Sequence, residues 1–373
     1  MIKRKLSEVI SSKFHQGKSI ILIGARQVGK STMLKLLMAD QQQVLWFNAD
    51  EMGVRTLFEN VSVERFRTLF EQNKVIVIDE AQRIENIGLK LKLITDNMPE
   101  IQLIATGSSA FELANKVNEP LTGRKWEYQL FPLSFGEMVA HHGLFEEMKH
   151  LSVRLIYGYY PDVVCNSGAE KQILHQLTDS YLYKDILEWE RIKKPDKLLK
   201  LLQALAYQVG SEVSFNELGN MVELDKITVE KYIVLLEQSK VIFRLRSLSR
   251  NLRNELKSSK KIYFYDNGIR NALIADFSTA EMRQDIGALW ENFMISERVK
   301  YLEYNQKWVN SWFWRTTAQQ EIDYIEEYDG KTIAYEFKWN PKKKTSVSKV
   351  FTKAYPGAEI EIIHRDNFDK FLM

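Results

Sequence analysis

The segment GARQVGKS, Gly24 to Ser31, places two glycines, a lysine and a hydroxyl at the spacing G-x-x-x-x-G-K-[ST], which suits a backbone loop that cradles phosphates. Gly24 and Gly29 let the chain wrap an anion closely. Amides around Gly29 and the following helix N-terminus point at the phosphates, Lys30 reaches the β- and γ-phosphates, and Ser31 ligates Mg2+. The candidate nucleotide-contacting set is Gly24, Ala25, Arg26, Gln27, Val28, Gly29, Lys30, Ser31 and Thr32. Downstream, VIVIDE ends in Asp79 and Glu80. Alone, the two acids read as a solvated strand end; beside a phosphate loop they read as hydrolysis, with Asp79 holding Mg2+ through its water shell and Glu80 orienting and deprotonating the attacking water. Thr106 and Ser108, in TGSS, are either sensors of the γ-phosphate or caps of the next helix. Arg124, in LTGR, either neutralises transition-state charge or forms a surface ion pair. The candidate catalytic residues are Lys30, Glu80 and Arg124, and the candidate metal ligands are Ser31 and Asp79.

A second constellation stands near the C-terminus. Glu336 and Lys338 are two residues apart in KTIAYEFKW and so share one face of a strand, with Tyr335, Phe337 and Trp339 on the other. Asp323 comes from the preceding strand, EIDYIEEY, and Glu291 from the helix before it. Asp323 and Glu336 could hold Mg2+ at a phosphodiester, Lys338 could stabilise the attacking hydroxide, and Glu291 could complete the metal shell. The spacing resembles the PD-(D/E)XK nuclease core, although Ile322 stands where that pattern has proline. The alternatives are an active nuclease and a degenerate fold used for binding; Glu-x-Lys is also an ordinary ion pair.

These residues need elements to position them. The runs 19–24, 43–48, 74–80 and 101–107 are continuously apolar, as in strands buried on both faces. Segments 30–39, 62–73 and 85–98 between them carry helical spacing, so the order strand, helix, strand predicts a parallel α/β sheet. After His150 the pattern predicts helices over 151–160 and 170–192, a lid or connector. Helical patterns over 197–210, 214–221 and 226–238, followed by the strand-like VIFRLRSL, predict a winged helix with Lys226, Thr228 and Lys231 facing outward. Between Lys240 and Lys261 stand eight basic residues, Lys240, Arg244, Arg246, Arg250, Arg253, Lys257, Lys260 and Lys261, against one acid, Glu255. Such a wing either straddles DNA phosphates or clamps against acidic patches of the same chain. The expected domains are 1–150, 151–194, 195–260 and 261–373.

At GARQVGKSTML, VIVIDEAQRI, LIATGSSAFEL, LTGR and FPLSFGE the chain resembles bacterial and archaeal AAA-type ATPases with an extra catalytic glutamate, the branch whose C-terminal half is a domain of unknown function. The likeness spans nearly the whole chain. It implies strand order 5-1-4-3-2, Walker A at Gly24–Ser31, Walker B at Asp79 and Glu80, sensor 1 near Thr106–Ser109, and ATP with Mg2+ as ligands. DNA and a second copy of the chain are the further partners to be considered.

Composition sets the bounds. The 373 residues allow two or three domains with cores of their own. With 52 Lys and Arg against 49 Asp and Glu, any nucleic-acid surface must be local. One cysteine, Cys165, excludes an internal disulfide and a cysteine-rich zinc site. No signal peptide or run of about 18 apolar residues is legible, so a cytoplasmic location without membrane contact is expected. His141, His142 and His150 lack clustered carboxylates or thiols and read as a polar helix surface. Trp290, Trp308, Trp312, Trp314 and Trp339 are expected in the core.

Overall fold

The computed structural model describes residues 1–59, 62–107, 115–118, 120–180, 195–249, 260–342 and 348–373. These fall into two compact units, Met1–Leu133 with the short segment Gln238–Lys240, and Ser134–Glu237 with Val241–Met373. In the first, β1 (Ser19–Ile23), β2 (Val44–Asn48), β3 (Val75–Asp79), β4 (Gln102–Gly107) and β5 (Lys125–Gln129) form one parallel sheet in the order β2-β3-β4-β1-β5. Read from the other edge, this is the order 5-1-4-3-2. Every residue of β1, β3 and β4 is buried, which explains why their sequences do not alternate. Helices Lys30–Met38, Val63–Phe70 and Ile87–Asn97 occupy the three predicted segments. On one face Phe47, Phe58, Phe66 and Phe70 are buried together, Phe47–Phe58 edge to face and Phe66–Phe70 stacked, each pair 5.3 Å between centroids. Truncating one such ring costs about 3–5 kcal/mol, so this cluster anchors the sheet that presents β1, β3 and β4 to a common C-terminal edge.

The second unit begins at Ser134 rather than after residue 150. Ser134 and Glu137 form a capping box on helix Phe135–His142. The Phe135 amide also donates to the buried Glu297 carboxylate at 2.7 Å, which ties this helix into the second unit. Helices Leu144–Lys149, Leu151–Tyr157, Pro161–Cys165 and Glu170–Ser180 follow. The remainder of the helix expected over 170–192 lies outside the described residues. Helices Pro195–Tyr207, Phe215–Val222 and Lys226–Gln238 then appear where the three short patterns predict them.

A seven-stranded sheet completes this unit: β6 (Glu212–Val213), β7 (Ile242–Ser247), β8 (Lys260–Phe264), β9 (Asn310–Arg315), β10 (Glu321–Tyr328), β11 (Lys331–Lys338) and β12 (Glu359–His364). Its order is β12-β11-β10-β9-β7-β8-β6. The boundary expected at residue 260 therefore cuts no seam, because β7 pairs in parallel with β9 at Arg246↔Trp312 and Ser247↔Phe313. The β10–β11 hairpin turns at Asp329 and Gly330, both at positive φ (47° and 75°), as a type I′ turn requires. Tyr335 and Phe337 pack on Phe371 at centroid distances of 4.7 and 5.6 Å, while Ala334 joins Ile322, Ile325, Trp314 and Phe351 in a separate buried cluster. Trp290 and Trp314 are buried as expected, but Trp308 is 87% exposed. It stands in the connection between helix Ile286–Tyr304 and β9, outside both elements. Among the described residues no helix is long and apolar enough to cross a membrane.

Candidate functional site

The phosphate-loop motif spans the turn from β1 into helix Lys30–Met38, at the C-terminal edge of the first sheet. Gly24 is required by packing: a Cβ there would lie 2.3 Å from the Leu130 carbonyl oxygen. Gly29 adopts φ +92°, the left-handed region open to glycine, and offers no side-chain cap to the helix it starts. The Lys30 ammonium is buried and donates to the Gly24 and Ala25 carbonyls at 2.8 and 3.0 Å. A cation and an uncapped helix N-terminus thus share one turn, the electrostatics an anion needs.

Ser31 and Asp79 are 48 positions apart in sequence, yet the Ser31 hydroxyl donates to Asp79 Oδ2 at 2.6 Å. β3 places Asp79 there, two strands from β1 across β4. A serine hydroxyl and a carboxylate are hard oxygen donors of the kind Mg2+ takes, alongside phosphate oxygens and water, so the residues present fit that ion. Glu80, next in the chain, holds φ +52°, a costly conformation for a non-glycine residue. Its carboxylate accepts from Gln82 Nε2 at 2.6 Å. Thr106 lies between the two acids. Its buried hydroxyl donates to Asp79 Oδ1 and accepts from the Glu80 amide at 3.2 Å. The β3–β4 register, Ile78↔Ala105, puts it directly beside the acidic pair. The Thr106 hydroxyl is thus engaged with both acids, and Ser108 lies outside the described residues.

Arg124 does not join this group. It immediately precedes β5, which runs parallel to β1 from Ser19↔Lys125, so it lies at the N-terminal edge of the sheet. Five residues of strand, roughly 16 Å at about 3.3 Å each, separate that edge from the phosphate loop. Its guanidinium Nε pairs with Asp96 at 2.5 Å. The ion-pair reading of Arg124 therefore holds within one chain, and the finger reading has no geometric basis there. Arg83 likewise pairs with Asp50, at 3.5 Å.

In the second unit the sheet brings Asp323, Glu336 and Lys338 together. Lys338 Nζ is 2.6 Å from Glu336 and 3.5 Å from Asp323. The β9–β10 register shifts between Ile322 and Ile325, and within that bulge the Asp323 carboxylate accepts from the Phe337 amide at 2.8 Å. Glu291 is differently engaged. Its Oε1 accepts from Lys261 at 3.0 Å and from the Tyr263 hydroxyl at 2.6 Å. Lys261, only 2% exposed, also pairs with Glu321. Burial alone would lower the Lys261 pKa, but the charges of Glu291, Glu321 and Asp323 outweigh it and hold the ammonium protonated above its usual range. An internal cation thus fills the place where Glu291 was expected to complete a metal shell. Among the described residues no three His, Cys, Asp or Glu are placed to hold a metal ion.

Lys261, Tyr263 and Glu321 were not singled out from sequence. Glu321 sits two residues before Asp323, a spacing that could have flagged it; Lys261 was counted instead among wing charges. That count overstated the free positive charge, since Arg244 is also engaged, through Nε to Glu237 at 2.7 Å. Arg246 is exposed, whereas Arg250, Arg253, Glu255 and Lys257 lie outside the described residues, as do Lys343 and Lys344. Lys226 and Lys231 do face solvent, with acidic Glu230 beside them.

Burial, then the Asp323 charge, pushes the Glu336 carboxyl up to about 7, and burial does the same for Glu291. Because the folded value exceeds the ordinary 4.5, the native state binds the proton more tightly than the unfolded chain. Stability from Glu336 is therefore complete at low pH and is lost as pH rises from about 4.5 to about 7. Glu336→Gln keeps the neutral form throughout. It is expected to match the native protein near about pH 4 and to exceed it near about pH 8, the margin growing as pH rises from about 4.5 to about 7. Thermal unfolding of both proteins across that range reads the difference, and parallel pH curves would overturn it.

Residues 16–139 match an AAA domain, 148–280 a domain of unknown function (DUF8612) and 286–368 another (DUF4143). The chain is 23% identical over 341 residues to an uncharacterized protein of Mycobacterium tuberculosis, covering 90% of this chain and 74% of that one. It is also 23% identical over 356 residues to an uncharacterized protein of Methanocaldococcus jannaschii, covering 82% and 74%. A Walker-type ATPase of Pyrococcus abyssi shares the fold, at a TM-score of 0.50 and 14% identity, over 72% of this chain and 94% of that one. The first unit thus matches an AAA domain and has the parallel sheet and phosphate-loop motif of the P-loop fold, in a chain whose later residues match two families of unknown function.

Proposed function

We propose that the chain binds ATP with Mg2+ at the turn Gly24–Ser31 and hydrolyses it. The observation that carries this reading is the 2.6 Å bond from Ser31 to Asp79, which joins the phosphate loop to the acidic strand end at a single point. Backbone amides around Gly29 and the Lys30 ammonium bind the phosphates. Ser31 and Asp79 would hold Mg2+, which supplies neutralisation of charge on the β- and γ-oxygens. Glu80, aimed by its left-handed backbone and by Gln82, takes the proton from the attacking water at its carboxylate, and Thr106 keeps Asp79 and Glu80 in register. Calorimetric titration of the full chain with ATP and Mg2+ tests the reading; no heat of association would overturn it.

The second unit is read as a nucleotide-responsive binding module on a nuclease-like scaffold that does not cleave. Two features support this. The order of the three helices from Pro195 to Gln238 and of strands β6, β7 and β8 supports a winged-helix reading, and Lys261 pairs with Glu291 and Glu321 from within. DNA is the partner to test first, since Arg246 and Lys231 remain exposed. In a DNA cleavage assay with Mg2+ or Mn2+, the native chain is expected to cut no more than Lys338→Ala. Metal-dependent cleavage by the native chain that is lost in Lys338→Ala would establish a nuclease instead.

A further inference from the structure

Arg4 lies far from the phosphate loop in sequence and is only 5% exposed. Its guanidinium donates through Nη1 to the Val28 carbonyl and through Nη2 to the Phe131 carbonyl, both at 2.6 Å. Val28 sits inside the loop, between Gly29 at φ +92° and Gln27 at φ +59°, a left-handed value uncommon outside glycine. Phe131 follows Leu130, whose carbonyl closes against Gly24. Arg4 itself is fixed by the helix Lys5–Ser11, which buries Leu6 and Ile10.

We infer that Arg4 is a positioning residue for the nucleotide site: it sets the orientation of the Val28–Gly29 peptide. No cis peptide occurs among the described residues, and in a planar trans peptide the carbonyl and the following N–H point in opposite directions. A Val28 carbonyl drawn to Arg4 therefore turns the Gly29 N–H away from Arg4. That amide is one of those assigned to the phosphates. Without the guanidinium, the buried Val28 carbonyl would seek another donor and the peptide could rotate, removing a donor from the cradle. A planar fork with two parallel donors suits this task, whereas a lysine's single ammonium is a point donor.

The inference rests on the ATP-binding reading, and one titration series separates the two. ATP and ADP affinities are measured for the native chain, Arg4→Ala, Arg4→Lys and Phe66→Leu, with melting temperatures recorded for each. Arg4→Ala is expected to weaken ATP and ADP alike by at least about tenfold, because the amide serves a phosphate that both nucleotides carry. Arg4→Lys is expected to fall between Arg4→Ala and the native chain. Phe66→Leu, in the aromatic cluster on Phe58 and Phe70, is expected to lower the melting temperature while keeping native affinity. If Arg4→Ala yields no folded protein, Arg4→Lys carries the test. Native affinity in the Arg4 variants, or equal loss in Phe66→Leu, would overturn the positioning role. No binding by the native chain would instead remove the ATP reading itself.

Discussion

Glu80→Gln is expected to lower ATP turnover by about 10²- to 10⁴-fold, the contribution typical of a general base, while ATP stays bound. The glutamine keeps the size of the side chain and can still meet Gln82, which now donates to Glu80 Oε2 at 2.6 Å. It loses only the ability to accept a proton from water. Asp79, Ser31 and the Thr106 hydroxyl are untouched by the change, so the bonds joining Ser31 and Thr106 to Asp79 persist. Single-turnover phosphate release together with nucleotide affinity reads both halves. Unchanged turnover would mean that the water is activated elsewhere.

Lys30→Ala is expected to weaken ATP binding on the order of 10²-fold, since a charge-assisted hydrogen bond contributes roughly 1.5–3 kcal/mol and Lys30 is the charged donor assigned to the β- and γ-phosphates. The ammonium is buried in the turn, on the Gly24 and Ala25 carbonyls, so it needs only a short swing to exchange those neutral acceptors for phosphate oxygens. Calorimetry on the variant, with circular dichroism to establish folding, checks this. A folded variant with native affinity would displace the phosphates from this turn. The two variants differ in kind: one loses the ligand, the other keeps it and stalls.

The first sheet was largely legible in the sequence because its strands are buried on both faces and flanked by helices, so SIILI and VIVID appear as unbroken apolar runs. Its strand order was not; it came from resemblance, and the observed pairing matches. The acidic pair and the phosphate loop were legible because their chemistry fixes local spacing. Arg4 was invisible, since its bonds span 24 and 127 positions and no local motif marks them. Lys261 was misread for a related reason. A charge count along the chain cannot see Glu291 and Glu321, which reach it from a helix and another strand. The bond from Thr106 to Asp79 was not legible either, because only the β3–β4 register brings the two side chains together.

The parallel pairing of β7 with β9 bears on how this molecule can be dissected. A gene cut between the helical stretch and the last strands would leave each half with a raw flank of unsatisfied amides and carbonyls, the kind of surface that recruits strangers and precipitates. Fragments meant to isolate the second unit should therefore keep everything from Ser134 onward in one polypeptide.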